Sequence, residues 1–190
     1  MGLQGVKAKN HPQQSVNGRG DLEADERYTP RALISELHAR HRFTIDVASD
    51  PRSPAAKIIG RFWTRQDDGL LQRWDGERVW CNPPFLSIAP WVAKAWRSRA
   101  EVVMLVPGCR TEQPWWQTLV EPWRDRGAAP YLLTRFLANR TQFGTPEVPE
   151  GKRWNSSPPF GCVLLTWPTQ DRPADLSFVD GGQLPLLGPP

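Results

Sequence analysis

Apolar residues along the chain follow two patterns, those of amphipathic helices and those of buried strands. The helical pattern predicts helices at Arg31–Arg40, Ala55–Ile59, Ser87–Arg99 and Trp115–Trp123. Alternating or continuous apolar runs predict strands at Phe43–Val47, Arg78–Cys81, Val102–Val106, Tyr131–Leu133 and Phe160–Trp167. Thr29 is expected to cap the first helix and Pro30 to start it.

The order of these elements predicts an α/β fold. An apolar strand, a helix and a second apolar strand follow one another between residues 78 and 106, as in a parallel βαβ unit buried on both faces. Asp46 lies near the end of the first predicted strand, and Asn82 and Pro107 directly follow two others. In open parallel sheets, ligands bind beyond the carboxyl ends of the strands, so these positions mark the expected site.

The two ends of the chain differ from its centre. Residues 1–27 are polar without an apolar period, and residues 169–190 are rich in proline and glycine. We therefore expect a disordered N-terminal arm, one domain at 28–168 and a C-terminal tail. No apolar run approaches the roughly 18 residues of a membrane span, so a soluble, cytoplasmic protein without a membrane partner is expected.

Composition narrows the chemistry. The three cysteines and three histidines of the 190 residues show no disulfide or metal-ligand spacing, so metal-free chemistry is favoured. The net charge of +4 is compatible with nucleic acid. Most of the ten tryptophans are expected in the core.

The predicted strand Arg78–Cys81 runs directly into Asn82-Pro83-Pro84-Phe85. The two prolines stop strand pairing and leave rigid carbonyls beside the Asn82 amide, and the Phe85 ring offers a stacking face for a planar heterocycle. Hydrogen bonds from an exocyclic amine to the Asn82 side-chain oxygen and the Pro83 carbonyl would stabilise charge developing on the amine during methyl transfer. The alternative is a strand that simply ends in a proline-rich loop.

Several motifs together resemble the phage-type DNA N6-adenine methyltransferase (Dam) family, over roughly residues 27–168. The N-terminal motifs are Tyr-Thr-Pro at 28–30, Phe-Thr-Ile-Asp-Val-Ala-Ser-Asp at 43–50, Asp-Asp-Gly-Leu at 67–70 and Val-Trp-Cys-Asn-Pro-Pro-Phe at 79–85. The likeness continues with Arg-Thr at 110–111, Trp-Trp at 115–116, Asn-Arg-Thr-Gln-Phe at 139–143 and Ser-Pro-Pro-Phe-Gly at 157–161.

The resemblance implies a compact Rossmann-like fold that transfers a methyl group from S-adenosylmethionine to adenine in DNA, in the bacterial host cytoplasm if the gene is a phage gene. It makes Asn82, Pro83, Pro84 and Phe85 the catalytic motif. It assigns cofactor contacts to Thr29, Pro30, Asp46, and Asp67 or Asp68. The segment from Asp46 to Asn82 lacks an early glycine-rich loop and is too short for two full helix–strand units, so the cofactor-binding half is expected to be shortened.

Some of these residues also have simpler interpretations. Asp46 is either a cofactor ligand or a solvated acid at a strand end, and Asp67 and Asp68 also fit a turn or a helix cap before Gly69. Arg140 is either a phosphate contact or a surface arginine.

The expected DNA contacts are basic and aromatic. Arg110 belongs to the motifs that carry the resemblance, and Lys152, Arg153 and Trp154 lie in the long polar segment at 145–157. Two other functions stay open: a non-catalytic DNA-binding remnant of the fold, and an amino-methyltransferase for cytosine, RNA or protein glutamine. The sequence assigns neither an oligomeric state nor a recognition sequence.

Overall fold

The computed structural model describes residues 27–144, 160–168, 171–173 and 175–180. Helices and strands alternate along most of this part of the chain. The helices are α1 Arg31–His41, α2 Pro54–Ile59, α3 Ala89–Arg97 and α4 Pro114–Leu119, followed by a 3₁₀ helix at Ser177–Asp180. The strands are β1 Ile45–Asp46, β2 Arg78–Cys81, β3 Glu101–Pro107, β4 Leu133–Phe136 and β5 Cys162–Trp167.

The five strands form one sheet in the order β1-β2-β3-β5-β4. Strands β1, β2 and β3 are parallel, whereas β5 runs antiparallel to both of its neighbours, β3 and β4. Beyond β1, Phe62 forms a further parallel bridge with Asp46. After β1, the chain first pairs at Phe62 on one side of β1 and then forms β2 on the other side. A topological switch point therefore lies between β1 and β2.

Apolar side chains alternate between the two faces of the sheet and build a core on each. On β2, Val79 and Cys81 join one cluster with residues of α3 and α4, and Trp80 joins the other with residues of α1 and α2. Helices therefore cover both faces, as the apolar β2 and β3 require. The α/β prediction and the parallel βαβ unit are confirmed.

Three element predictions need correction. Helix α1 begins at Arg31, and its N-cap is Pro30 rather than Thr29, because the Pro30 ψ of 139° lies outside the helical range. No side chain makes a cap bond there. Helix α4 ends at Leu119, since Pro122 disfavours helical geometry just before it. Strand β4 lies at Leu133–Phe136 rather than Tyr131–Leu133, because an edge strand with mostly exposed side chains carries little apolar pattern.

The packed core continues past residue 168, into the segment for which a tail is predicted. Phe178 is 1% exposed, and its ring centroid lies 4.4 Å from that of Trp123 and 5.4 Å from that of Trp96. Arg172 donates to the carbonyl oxygens of Ala95 and Ala100. Burial of the Phe178 ring thus packs part of this segment against the core, although the composition of the segment predicts no regular structure.

No helix in the described parts of the chain has the length and apolarity needed to cross a membrane.

Candidate active site

A cavity of about 720 Å³ opens at the carboxyl ends of β1 and β2, at the switch point. This volume is in the range of roughly 300–1,000 Å³ that small-molecule sites occupy. Its lining comes from four stretches of chain and one helix: the segment before α1, the loop from β1 to α2, the loop around Gly69, the segment from the end of β2 to Ser87, and Trp91 of α3. Among the sequence-predicted residues, those that line it are Thr29, Asp46, Asp68, Asn82 and Pro84.

Asn82 lies where β2 stops and the two prolines prevent further pairing. Its side-chain Nδ2 donates to the main-chain oxygen of Arg27 at 2.5 Å. Its Oδ1 is buried and has no hydrogen-bond partner among the described residues. A buried acceptor without a donor is costly, so this atom is suited to accept a hydrogen bond from a ligand.

Phe85 is held in the core beside the cavity and does not line it. Its ring is 3% exposed, packs edge-on against Phe143 at 5.6 Å between centroids, and lies beneath the Arg27 guanidinium at 5.7 Å. Arg110 donates to the Phe85 carbonyl oxygen at 2.5 Å. Arg110 therefore contacts the backbone of the Asn-Pro-Pro-Phe loop in this conformation.

Asp46 is a buried acid at the end of β1, with 2% of its surface exposed. This burial excludes the interpretation of Asp46 as a solvated strand-end acid. Desolvation raises its pKa from 3.8 to about 6, although hydrogen bonds from Ser49 and from the Ala48 amide lower it. A buried carboxyl at a cavity wall with a raised pKa is typical of a ligand-binding site.

The loop from β1 to α2 is built without glycine. The Ser49 and Ser53 hydroxyl oxygens lie 3.0 Å apart, and Ser53 caps α2 by accepting from the Ala56 amide. Arg52 pairs with Asp50, and hydrogen bonding from Arg52 lowers the pKa of Asp50 to about 2. These side-chain contacts hold the loop in one conformation, as backbone geometry does in a glycine-rich turn.

The two neighbouring acids of the Asp-Asp-Gly motif have different surroundings. Asp67 is exposed and does not line the cavity, but its Oδ2 accepts from both the amide and the hydroxyl of Thr64 at 2.7 Å, and Thr64 does line it. Asp68 has a left-handed φ of 49° and lines the cavity. Gly69 lies so close to β1 that an added Cβ would be 2.0 Å from the Val47 carbonyl oxygen.

Thr29 closes the cavity on the side of α1. It is 2% exposed, and its Oγ1 has no hydrogen-bond partner among the described residues. The preceding residue, Tyr28, is fixed by reciprocal main-chain bonds with Gly144 at 2.9 Å. Thr29 is thus a positioned donor and acceptor, whereas Pro30 does not line the cavity.

The expected DNA contacts are only partly visible. Arg140 is exposed and outside the cavity lining. Lys152, Arg153 and Trp154 lie outside the described residues. Within the described residues there is no cluster of three or more metal-ligating side chains, and the three cysteines are free thiols.

Sequence reasoning did not single out several contributors to the cavity, among them Ser53 and Arg27. Ser53 was detectable as a serine before the helix-starting Pro54, which is an N-cap signal. Arg27 contributes through its main-chain carbonyl, for which a sequence carries no signal.

The fold and the cavity define a small α/β protein with a cavity at the strand ends of a mixed sheet and an asparagine in the cavity wall. The family model for DNA N-6-adenine-methyltransferase (Dam) matches residues 19–160. The chain belongs to this family, which confirms the resemblance and implies DNA adenine methyltransferase activity. No curated protein and no solved structure matches the chain.

Proposed function

We propose that this protein transfers a methyl group from S-adenosylmethionine to the exocyclic N6 amine of an adenine extruded from DNA. The observation that carries the proposal is the Asn82 amide, whose buried Oδ1 lacks a partner among the described residues at the edge of the cavity. Family membership supports the substrate class, and the cavity is the proposed site of the cofactor.

The cavity fits the cofactor in size and in chemistry. S-adenosylmethionine supplies an activated methyl group on a sulfonium when bound. Asp46, Asp68 and Thr29 all line the cavity. Asp46 and Asp68 would accept from ribose hydroxyls or the ammonium group, and the Thr29 hydroxyl would donate to the carboxylate. The buried and unpartnered Thr29 Oγ1 supports this assignment.

Asn82 is the proposed catalytic residue. The lone pair of adenine N6 is delocalised into the ring, so the amine is a poor nucleophile. Hydrogen bonds donated by its two N–H groups to Asn82 Oδ1 and the Pro83 carbonyl oxygen would localise the lone pair and offset the positive charge that develops during attack. The amine must also be aligned with the methyl group, which the rigid proline pair supports by fixing the loop.

The target base must leave the duplex to reach Asn82. Extrusion costs a few kcal/mol, which contacts to the base and to the DNA backbone must offset. Phe85 is the proposed stacking surface. Because its ring is buried beneath the Arg27 guanidinium, stacking requires that this side chain move away.

Basic residues supply the proposed backbone contacts. Exposed Arg140, with Lys152, Arg153 and Trp154 from the segment 145–157, is proposed to contact DNA, in keeping with the net charge of +4. Arg110 is proposed to act indirectly, because its hydrogen bond to the Phe85 carbonyl oxygen restrains the loop that carries the stacking surface.

The strand order supports a Rossmann-like fold shortened between β1 and β2. That connection holds one helix, α2, and one bridging residue, Phe62, in place of two full helix–strand units. We propose a domain at residues 28–168, to which Arg27 and the described residues 171–173 and 175–180 are added because they contact it.

Product analysis tests the proposal. Unmethylated DNA would be incubated with the protein and methyl-labelled S-adenosylmethionine, then digested to nucleosides and separated. Label in N6-methyladenine is expected. Label in N4-methylcytosine would contradict the adenine assignment, and unlabelled DNA from a protein that binds both ligands would contradict the enzymatic function.

A further inference from the structure

The orientation of the Asn82 side-chain amide is set by the main chain of Arg27. The oxygen and nitrogen ends of an amide side chain are nearly equal in shape, so the surrounding hydrogen bonds decide which end points where. The Arg27 carbonyl oxygen only accepts, and Asn82 Nδ2 lies 2.5 Å from it. This contact directs Nδ2 towards Arg27 and leaves Oδ1 as the end without a partner among the described residues.

The Arg27 carbonyl is held in place by the main chain that follows it. Its neighbour Tyr28 makes reciprocal main-chain bonds with Gly144 at 2.9 Å. The acceptor for Asn82 is therefore part of a fixed segment.

The loop that carries Asn82 is fixed at its other end as well. The Arg110 guanidinium donates to the Phe85 carbonyl oxygen at 2.5 Å. Between these two arginine contacts lie Pro83 and Pro84, whose φ angles are fixed by their rings. The loop is thus restrained at its first and last residues. The hydrogen bond from Asn82 to the Arg27 carbonyl also restricts rotation of the Asn82 amide.

We propose that Arg27 is a positioning residue, whose main-chain carbonyl fixes Asn82 with Oδ1 towards the substrate amine and thereby makes asparagine, rather than aspartate, the residue required at position 82. The proposal rests on the proposed function of Asn82. An aspartate has the same shape and is a stronger acceptor for the amine, but an ionised carboxylate cannot donate to Arg27. It would instead place two acceptor oxygens against each other.

The variant Asn82→Asp separates this role from simple acceptance by Oδ1. We expect kcat for DNA methylation to fall about a hundredfold, because a misplaced reacting group costs about that much. The KM values for DNA and for S-adenosylmethionine should stay within about threefold of the wild type. The matched control is Asn82→Ala, which lacks both ends of the amide and should lose at least as much kcat. An Asn82→Asp protein with kcat within about threefold of the wild type would overturn the proposal, as would a loss confined to KM.

A second measurement uses the unaltered protein and does not depend on catalysis. In a heteronuclear NMR spectrum, the side-chain NH₂ signal of Asn82 is identified by its absence in Asn82→Ala. We expect one of its two protons to be shifted downfield and protected from solvent exchange by the Arg27 carbonyl. Two rapidly exchanging protons at ordinary shifts would overturn the proposal. If the protected proton is found in a protein that methylates no DNA, the proposed function fails and the positioning contact stands.

Discussion

At the scale of single residues, two polar side chains in the cavity wall carry the proposed chemistry. Asn82 offers an acceptor oxygen without a partner among the described residues, and Asp46 offers a carboxyl removed from solvent. Both lie at the carboxyl ends of parallel strands, where main-chain geometry fixes the direction of the side chain. The two residues divide the chemistry, since Asn82 is proposed to act on the substrate and Asp46 on the cofactor.

Burial of Asp46 predicts a pH-dependent stability. The folded-state pKa of about 6 exceeds the ordinary value of 3.8, so the folded protein binds more protons than the unfolded chain between these values. The contribution of Asp46 to stability is fully present below about pH 4 and is lost as the pH rises through about 6. Relative to Asp46→Asn, the wild type should lose about 3 kcal/mol of unfolding free energy over this window. Urea unfolding of both proteins at about pH 4 and about pH 7 measures the difference, and a difference independent of pH would contradict it.

The same carboxyl predicts pH-dependent cofactor binding. An ionised Asp46 is the better acceptor for a ribose hydroxyl or an ammonium group. Calorimetric titration with S-adenosylmethionine should therefore show weaker binding as the pH falls through about 6, the value to which burial raises the pKa. The Asp46→Asn protein should bind weakly with little change over this range. Equal pH dependence in the two proteins would assign the effect to another group.

At the scale of elements, the loop around Gly69 shows how close packing builds the cavity wall. Gly69 touches the end of β1, and its carbonyl oxygen accepts from the buried Trp74 indole at 2.8 Å. These contacts hold Asp68 beside the loop that follows β1. The cavity wall can therefore pack in this way only because Gly69 has no side chain.

The variant Gly69→Ala should damage both stability and cofactor binding. Its Cβ would lie 2.0 Å from the Val47 carbonyl oxygen, so the loop has to move. Overpacking of this kind costs about 1–3 kcal/mol. Gly161→Ala is the matched control, because its Cβ would meet no atom within 4 Å. Thermal unfolding and cofactor titration of both variants test the prediction, and equal behaviour of the two would contradict it.

Much of the element order was predictable because α3, β2 and β3 have strong apolar patterns. Ile88, Trp91, Val92, Ala95 and Trp96 are all buried, as their helical spacing predicts. The edge strand β4 was misplaced because its exposed residues carry no such pattern. Asn82 was recognisable from the two prolines that follow it, whereas the Arg27 contact and the close approach of Gly69 arise from tertiary structure.

At the scale of the whole molecule, residues beyond the predicted domain complete the core. Phe178 fills a pocket between Trp96 and Trp123 on the face of the sheet covered by α3 and α4. Residues 169–190 are rich in proline and glycine, so their composition gave no indication that Phe178 packs in the core. Proline excludes regular elements but does not prevent a neighbouring aromatic side chain from packing.

Loss of the Phe178 ring should destabilise the whole protein. Truncation of a buried phenylalanine to alanine costs about 3–5 kcal/mol through lost burial and the cavity left behind. Leu71→Ala is the control, since Leu71 is 80% exposed and its removal should change stability by less than about 0.5 kcal/mol. Urea unfolding measures both, and a Phe178→Ala protein as stable as the control would show that residues 175–180 are not part of the core.

The central claim is that Asn82 performs methyl transfer to adenine beside a bound cofactor. It is tested most directly by single-turnover transfer of labelled methyl groups to DNA, with wild-type and Asn82→Ala proteins loaded to equal extent with S-adenosylmethionine. The wild type should form N6-methyladenine, and the variant should be at least about a hundredfold slower while it binds cofactor and DNA normally. Transfer by the Asn82→Ala protein at the wild-type rate would contradict the account.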